Sequence, residues 1–108
     1  MIRLIQIVPS TDSRLFGQMV KKELNLYRRN QGTFYRSGAK QRNQAKWSHK
    51  RYKGWLKLQR GEGEVVIAEV RSLSKTDDGW QLLQAFLGWL DRHFGKQIMA
   101  INIQYRHS

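Results

Sequence analysis

The chain has 108 residues, of which 40% are hydrophobic and 11% aromatic. This length fits one domain with a core of its own, and the hydrophobic fraction excludes a disordered chain. The sequence has no cysteine, which excludes disulfides and thiolate metal sites, and its formal net charge is +12. We expect a single domain over 1–108 that is soluble and cytoplasmic, with no membrane association and no cofactor.

The first half of the chain begins with a strand and a helix. Residues 2–8, IRLIQIV, are rich in β-branched residues and are followed by Pro9, which predicts a short strand. Phe16, Val20, Leu24 and Tyr27 recur at helical spacing, which predicts an amphipathic helix that ends near residue 28. Residues 30–46 are predicted to form a mobile basic loop, with a short strand at 33–38 as an alternative.

The stretch 46–60 is predicted to be one strand with two different faces. Alternation places Tyr52, Leu56 and Leu58 on a core-facing side. The opposite side then carries Trp47, His49, Arg51, Lys53, Trp55, Lys57 and Gln59. The pattern therefore predicts two tryptophans among cations on one exposed face.

The second half of the chain contributes a turn, two strands and a helix. GEGE at 61–64 is predicted to form a turn. A strand at 64–72, a helix at 77–95 and a last strand at 97–105 are predicted to follow it in that order. The element order is therefore strand, helix, strand, strand, helix, strand. This order predicts an α+β, ferredoxin-like βαββαβ sandwich: a four-stranded antiparallel sheet with two helices on one face and a long basic loop before the second strand.

The basic residues are concentrated in the middle of the chain. No carboxylate occurs between Glu23 and Glu62, whereas 11 of the 20 lysines and arginines fall in those 38 positions. Such a segment repels itself unless an external anion compensates the charge. We therefore expect a non-catalytic domain that binds nucleic acid, with RNA or single-stranded nucleic acid favoured because aromatic rings can stack on bases.

The predicted nucleic-acid-binding residues combine cations for phosphates with rings for bases. They are Arg36, Lys40, Arg42, Lys46, Trp47, His49, Lys50, Arg51, Lys53, Trp55 and Lys57. No catalytic residue and no metal ligand is predicted, because the histidines and carboxylates show no spacing typical of such sites.

Two alternative functions stay open at this point. A protein-interaction module could dock an acidic partner through the same Trp- and Arg-containing stretch. The wide apolar face of the second helix, which includes Leu82, Phe86 and Trp89, also fits a homodimer or a protein partner. A small toxin-like ribonuclease could instead use His49, Arg51 and Tyr52.

Overall fold

The regular elements of the described chain are six strands, two α-helices and two short 3-10 helices at Glu62–Glu64 and Gly95–Gln97. The structure is a computed structural model, and it describes residues 2–10, 14–39, 41–72 and 79–106. The elements are β1 (Ile2–Pro9), α1 (Leu15–Arg28), β2 (Phe34–Arg36), β3 (Gln44–His49), β4 (Trp55–Arg60), β5 (Val66–Arg71), α2 (Trp80–Phe94) and β6 (Ile98–Arg106). No helix within these ranges is long and apolar enough to cross a bilayer.

All strands belong to one antiparallel sheet with the order β2-β3-β4-β5-β1-β6. The α+β class agrees with the sequence-based expectation, but the four-stranded ferredoxin-like sandwich is wrong. The difference arises between residues 30 and 60, where a loop and one strand were expected and three strands form. Residues 30–46 contain all of β2 and the first residues of β3.

A five-residue turn, 50–54, divides the predicted strand at 46–60 into β3 and β4. The His49 side chain stabilises this turn, because its Nδ1 accepts hydrogen bonds from the backbone N–H groups of Arg51 and Tyr52 at 3.0 and 3.2 Å. Gly54 has φ +123°, a conformation that other residues rarely adopt. A Cβ at this position would also overlap the backbone oxygen of Arg71. The turn therefore requires glycine.

The sheet has one covered face and one open face. Directly opposite residues in an antiparallel pair point to the same face, and the fully buried strand residues alternate with partly or fully exposed ones. Both helices cover the same side: Trp47 contacts Phe86 and Trp89 of α2, and the Arg60 guanidinium lies over the Phe16 ring of α1. The core fills the space between the helices and this covered face.

The wide apolar face of α2 is buried within the domain. Leu82, Phe86 and Trp89, which widen the stripe, are at most 7% exposed. Trp89 packs edge-on against Trp47, with ring centroids 5.1 Å apart. Packing inside the domain therefore accounts for these apolar residues without a protein partner.

The buried face of α1 is rotated relative to the predicted stripe. Tyr27, which was expected to face the core, is 55% exposed, whereas Glu23 is only 2% exposed. Burial raises the pKa of Glu23, and the Arg36 backbone N–H and guanidinium partly oppose that rise. A carboxylate thus occupies a position between α1 and the edge strand β2.

Candidate nucleic-acid interface

The open face of the sheet presents a mixed aromatic and charged surface on β3, β4 and β5. On β4, Trp55 and Lys57 alternate with the buried Leu56 and Leu58. Lys46 of β3 lies directly opposite Lys57. Arg71 and Glu69 of β5 lie opposite Trp55 and Lys57 respectively. We call these five residues, Lys46, Trp55, Lys57, Glu69 and Arg71, the Trp55 patch.

The indole of Trp55 is half-buried and has a cation on each neighbouring strand. The Lys46 ammonium nitrogen lies 4.8 Å from the centroid of the Trp55 ring. The Arg71 guanidinium carbon lies 5.5 Å from the same ring and its Nε donates a 3.0 Å hydrogen bond to Glu69. Both distances are within the range of cation–π attraction. The ring is thus held by charge–quadrupole contacts rather than by a hydrophobic pocket.

The charges of the patch do not cancel. Lys46 and Lys57 face each other directly across β3 and β4, and like charges in that arrangement destabilise a sheet. The single carboxylate, Glu69, lies opposite Lys57 but forms its ion pair with Arg71. Three cations and one anion leave an excess of positive charge around one aromatic ring.

A groove of about 390 Å³ runs beside Trp55 toward the β2–β3 connection. Its walls combine the patch with small and amide-bearing side chains. The lining residues are Ser37, Gly38, Ala39, Gln41, Gln44, Ala45, Lys46, Trp55 and Lys57. The groove therefore offers a ring, two ammonium groups and two amide side chains, those of Gln41 and Gln44, within one concave surface.

Trp47 does not belong to this surface, and its predicted exposure is wrong. The side chain is 0% exposed and packs against Phe34, Phe86 and Trp89. The five-residue turn explains the error: Ser48 pairs with Trp55 and Trp47 with Leu56, so the two tryptophans point to opposite faces. A strand without interruption would have kept both on one side.

The remaining predicted binding residues occupy several different places. Lys50, Arg51 and Lys53 are exposed in the 50–54 turn, and Arg42 is exposed just before β3. Arg36 lies on β2 opposite Trp47, on the covered side of the sheet. Lys40 lies outside the described residues. Of the predicted residues, the structure brings together Lys46, Trp55 and Lys57 in the patch.

The geometry of His49 does not favour a role as a general base. Two backbone N–H groups donate to its Nδ1, which fixes the proton of the neutral ring on Nε2. Burial, with a smaller contribution from the Arg51 charge, lowers the pKa of His49. The ring also stacks on Tyr52, with centroids 4.8 Å apart. His49 is therefore a neutral residue that supports the turn, and neither of its nitrogens is available to accept a substrate proton.

Sequence reasoning identified the open side of β4 but did not include Glu69 and Arg71 of β5 among the binding residues. Glu69 and Arg71 share the open face of a mostly apolar strand, and Glu69 lies opposite Lys57 as a cross-strand partner. The signal was the charged pair at alternate positions in EVVIAEVRS. Once the β4–β5 register is known, Arg71 falls beside Trp55 and becomes part of the site.

Within the described ranges, no three histidine or carboxylate side chains are grouped closely enough to hold a metal ion. Comparison of the chain with protein-family models, with curated proteins and with solved structures found no match. Any functional conclusion therefore depends on the chemistry of the patch itself.

Proposed function

We propose that this chain binds single-stranded nucleic acid, RNA or DNA, on the open face of its sheet, without catalysing a reaction on it. The observation that supports this proposal is the half-buried Trp55 ring between Lys46 and Arg71 on the open face of the sheet. Aromatic rings next to a positively charged groove are the usual means of binding single strands without sequence preference.

A base can replace Lys46 over the Trp55 ring. An exposed cation–π contact contributes about 0.5–1 kcal/mol, whereas a base stacked on an aromatic residue contributes about 1–3 kcal/mol. Stacking is the stronger interaction, so the exchange is favourable. The displaced Lys46 ammonium then remains close enough to the base to bind its phosphate.

The opposed pair Lys46 and Lys57 forms the expected phosphate site. Their repulsion is a cost that a bound phosphate removes, because one anion can lie between two ammonium groups on neighbouring strands. The net charge of +12 raises the local concentration of any polyanion. Each phosphate contact also releases counterions, so binding must weaken as salt increases.

The test is the affinity of the full chain for a fluorescently labelled single-stranded oligonucleotide of about 12 nucleotides, measured by anisotropy. Trp55→Ala should weaken binding by roughly 5- to 150-fold, the equivalent of 1–3 kcal/mol, and Trp55→Phe should retain most of the affinity. Trp80→Ala is the control, because Trp80 is a tryptophan that is 44% exposed but lies at the start of α2, away from the patch. Equal losses from the Trp55 and Trp80 variants would refute the proposed site.

The contribution of the lysines is measured by salt dependence. Lys46→Gln and Lys57→Gln should each reduce the slope of log affinity against log salt by about 0.7, the value for one phosphate on a single strand. An affinity that does not change with salt contradicts the proposal.

Polyglutamate separates nucleic acid from an acidic protein partner, since it offers carboxylates but no bases. Binding of polyglutamate should be insensitive to Trp55→Ala. If polyglutamate and the oligonucleotide lose equal affinity in that variant, the ring does not stack on bases and an acidic protein partner becomes the better explanation.

A further inference from the structure

The last strand, β6, forms a long edge of the sheet. Within the described part of the chain β6 pairs only with β1, along nearly its whole length from Ile98 to Arg106. The opposite edge, β2, has only three residues. An edge strand presents a row of backbone N–H and C=O groups that can pair with another strand.

The sequence of β6 lacks the residues that usually protect such an edge. Residues 98–105, IMAINIQY, contain no charge and no proline, although the chain has 20 basic residues. Two of its side chains are among the large hydrophobic residues exposed in the structure: Met99 is 69% exposed and Tyr105 is 50% exposed. The uncharged edge thus lies on a protein whose surface otherwise repels copies of itself.

We propose that β6 pairs with β6 of a second copy of this chain, in antiparallel orientation. A twofold axis perpendicular to the sheet relates two antiparallel edge strands, so the helices of both copies lie on the same side. Opposite residues must share a face, which requires residue numbers of equal parity to oppose each other over the regular part of β6, from Ala100 to Arg106. The register that pairs the whole strand places Asn102 opposite its own counterpart.

This register makes the edge complementary to itself. It brings the exposed Met99 of one copy, which lies where the β1–β6 register shifts, beside Tyr105 of the other, and it does so twice because of the twofold symmetry. A methionine sulfur beside an aromatic ring is a favourable contact. Ile101 lies opposite Ile103, and on the open face Ala100 lies opposite Gln104. No charged side chain is opposed to another within 98–105.

Pairing through β6 produces one sheet of twelve strands, two copies of the six-stranded sheet. The two Trp55 patches then lie on the same face, separated by seven strand spacings of about 4.8 Å, or roughly 34 Å. If the proposed function is correct, one nucleic-acid strand can reach both patches and gain avidity. The dimer itself does not depend on that function.

The test compares three variants of the full chain by sedimentation equilibrium. Nuclease treatment and a high-salt wash first remove nucleic acid that could bridge copies, and the measurement is then made at about 0.1 M salt, where repulsion between neighbouring charges still acts. The wild-type chain should have twice the monomer mass of 12.8 kDa. Substitution of Ala100, Asn102 and Gln104 all by Lys places three pairs of like charges opposite each other in the dimer. Each pair should lower the dimer affinity by up to about fivefold, so the three together should lower it by up to about a hundredfold. The same three positions changed to Glu should weaken the dimer similarly.

Mixing the Lys and Glu variants should restore a dimer, because every opposed pair is then of opposite charge. A neutral variant, Ala100→Gln with Asn102→Gln, should remain dimeric. A monomeric wild-type chain, or a Lys variant that dimerises as well as wild type, overturns the proposal.

Hydrogen exchange provides a second measurement if the charged variants do not fold. In the wild-type chain, amide protons of 98–106 that face away from β1 should become protected as protein concentration rises. Protection that does not change with concentration overturns the proposal as well.

Discussion

Replacement of Trp47 tests whether the ring supports the core rather than the binding surface. The side chain is 0% exposed and contacts Phe34, Phe86 and Trp89. We therefore expect Trp47→Ala to lower the free energy of unfolding by about 3–5 kcal/mol, the usual cost of removing a buried aromatic ring. Typical domains are stable by only about 5–15 kcal/mol, so this variant should be close to unfolding.

Trp47→Phe should behave very differently from Trp47→Ala. The indole Nε1 of Trp47 is buried and has no hydrogen-bond partner among the described residues. An unsatisfied buried donor costs about 1–3 kcal/mol, and phenylalanine removes it while it keeps an aromatic ring in the same contacts. The gain offsets most of the lost packing, and we expect a net change below about 1.5 kcal/mol.

The assay is urea unfolding followed by circular dichroism, with Trp80→Ala as a surface control that should change stability by less than about 1 kcal/mol. The folded Trp47→Phe variant should also bind the oligonucleotide as wild type does. A cost below about 1.5 kcal/mol for Trp47→Ala, or weakened binding by folded Trp47→Phe, would contradict the burial of this ring.

Two further predictions concern the turn between β3 and β4. Gly54→Ala should lower the free energy of unfolding by at least about 2 kcal/mol, because φ is +123° and the new Cβ overlaps the backbone. The control is Gly88→Ala, which should stabilise the chain by about 0.5–1 kcal/mol because Gly88 is exposed in α2 with open space around it. Urea unfolding measures both, and equal effects would contradict the turn geometry. Because the pKa of His49 is lowered on folding, the unfolded chain binds more protons just below pH 6.5, so stability should rise with pH up to about 6.5 and then level off. His49→Gln should flatten this rise relative to wild type. The comparison is His93→Gln, because the pKa of His93 is also lowered in the folded chain. An unchanged slope in the His49 variant would contradict a neutral His49 in the turn.

Periodicity predicted the two helices and the strands β1, β5 and β6 because their signals are local. The strand at 2–8 and the helix that ends near residue 28 agree with β1 and α1 to within a few residues. The second helix was predicted from 77, and residues 77 and 78 lie outside the described ranges. These elements have long, regular patterns, which is where sequence reasoning is strongest.

The middle of the chain, which forms β2, β3 and β4, was harder to predict because alternation continues through a turn. Tyr52 and Gly54 fit the apolar side of an extended strand, yet they lie in the connection between β3 and β4. The turn is stabilised by His49, whose ring accepts two backbone hydrogen bonds. No common turn motif contains such a histidine, so the sequence gives no recognisable sign of this turn. This one missed turn reversed the face of Trp47, removed it from the site and merged β3 and β4 into one predicted strand, whereas β2 lies within the predicted loop at 30–46.

The open face of the sheet can change without a penalty to folding. In β3, β4 and β5, the side chains that fill the core and those that form the Trp55 patch alternate along the same backbone. Substitutions at Lys46, Trp55 and Lys57 therefore leave the core composition untouched. A library randomised at these three positions should retain most folded members, so variants with new ligand preferences can be selected directly, without compensating mutations elsewhere.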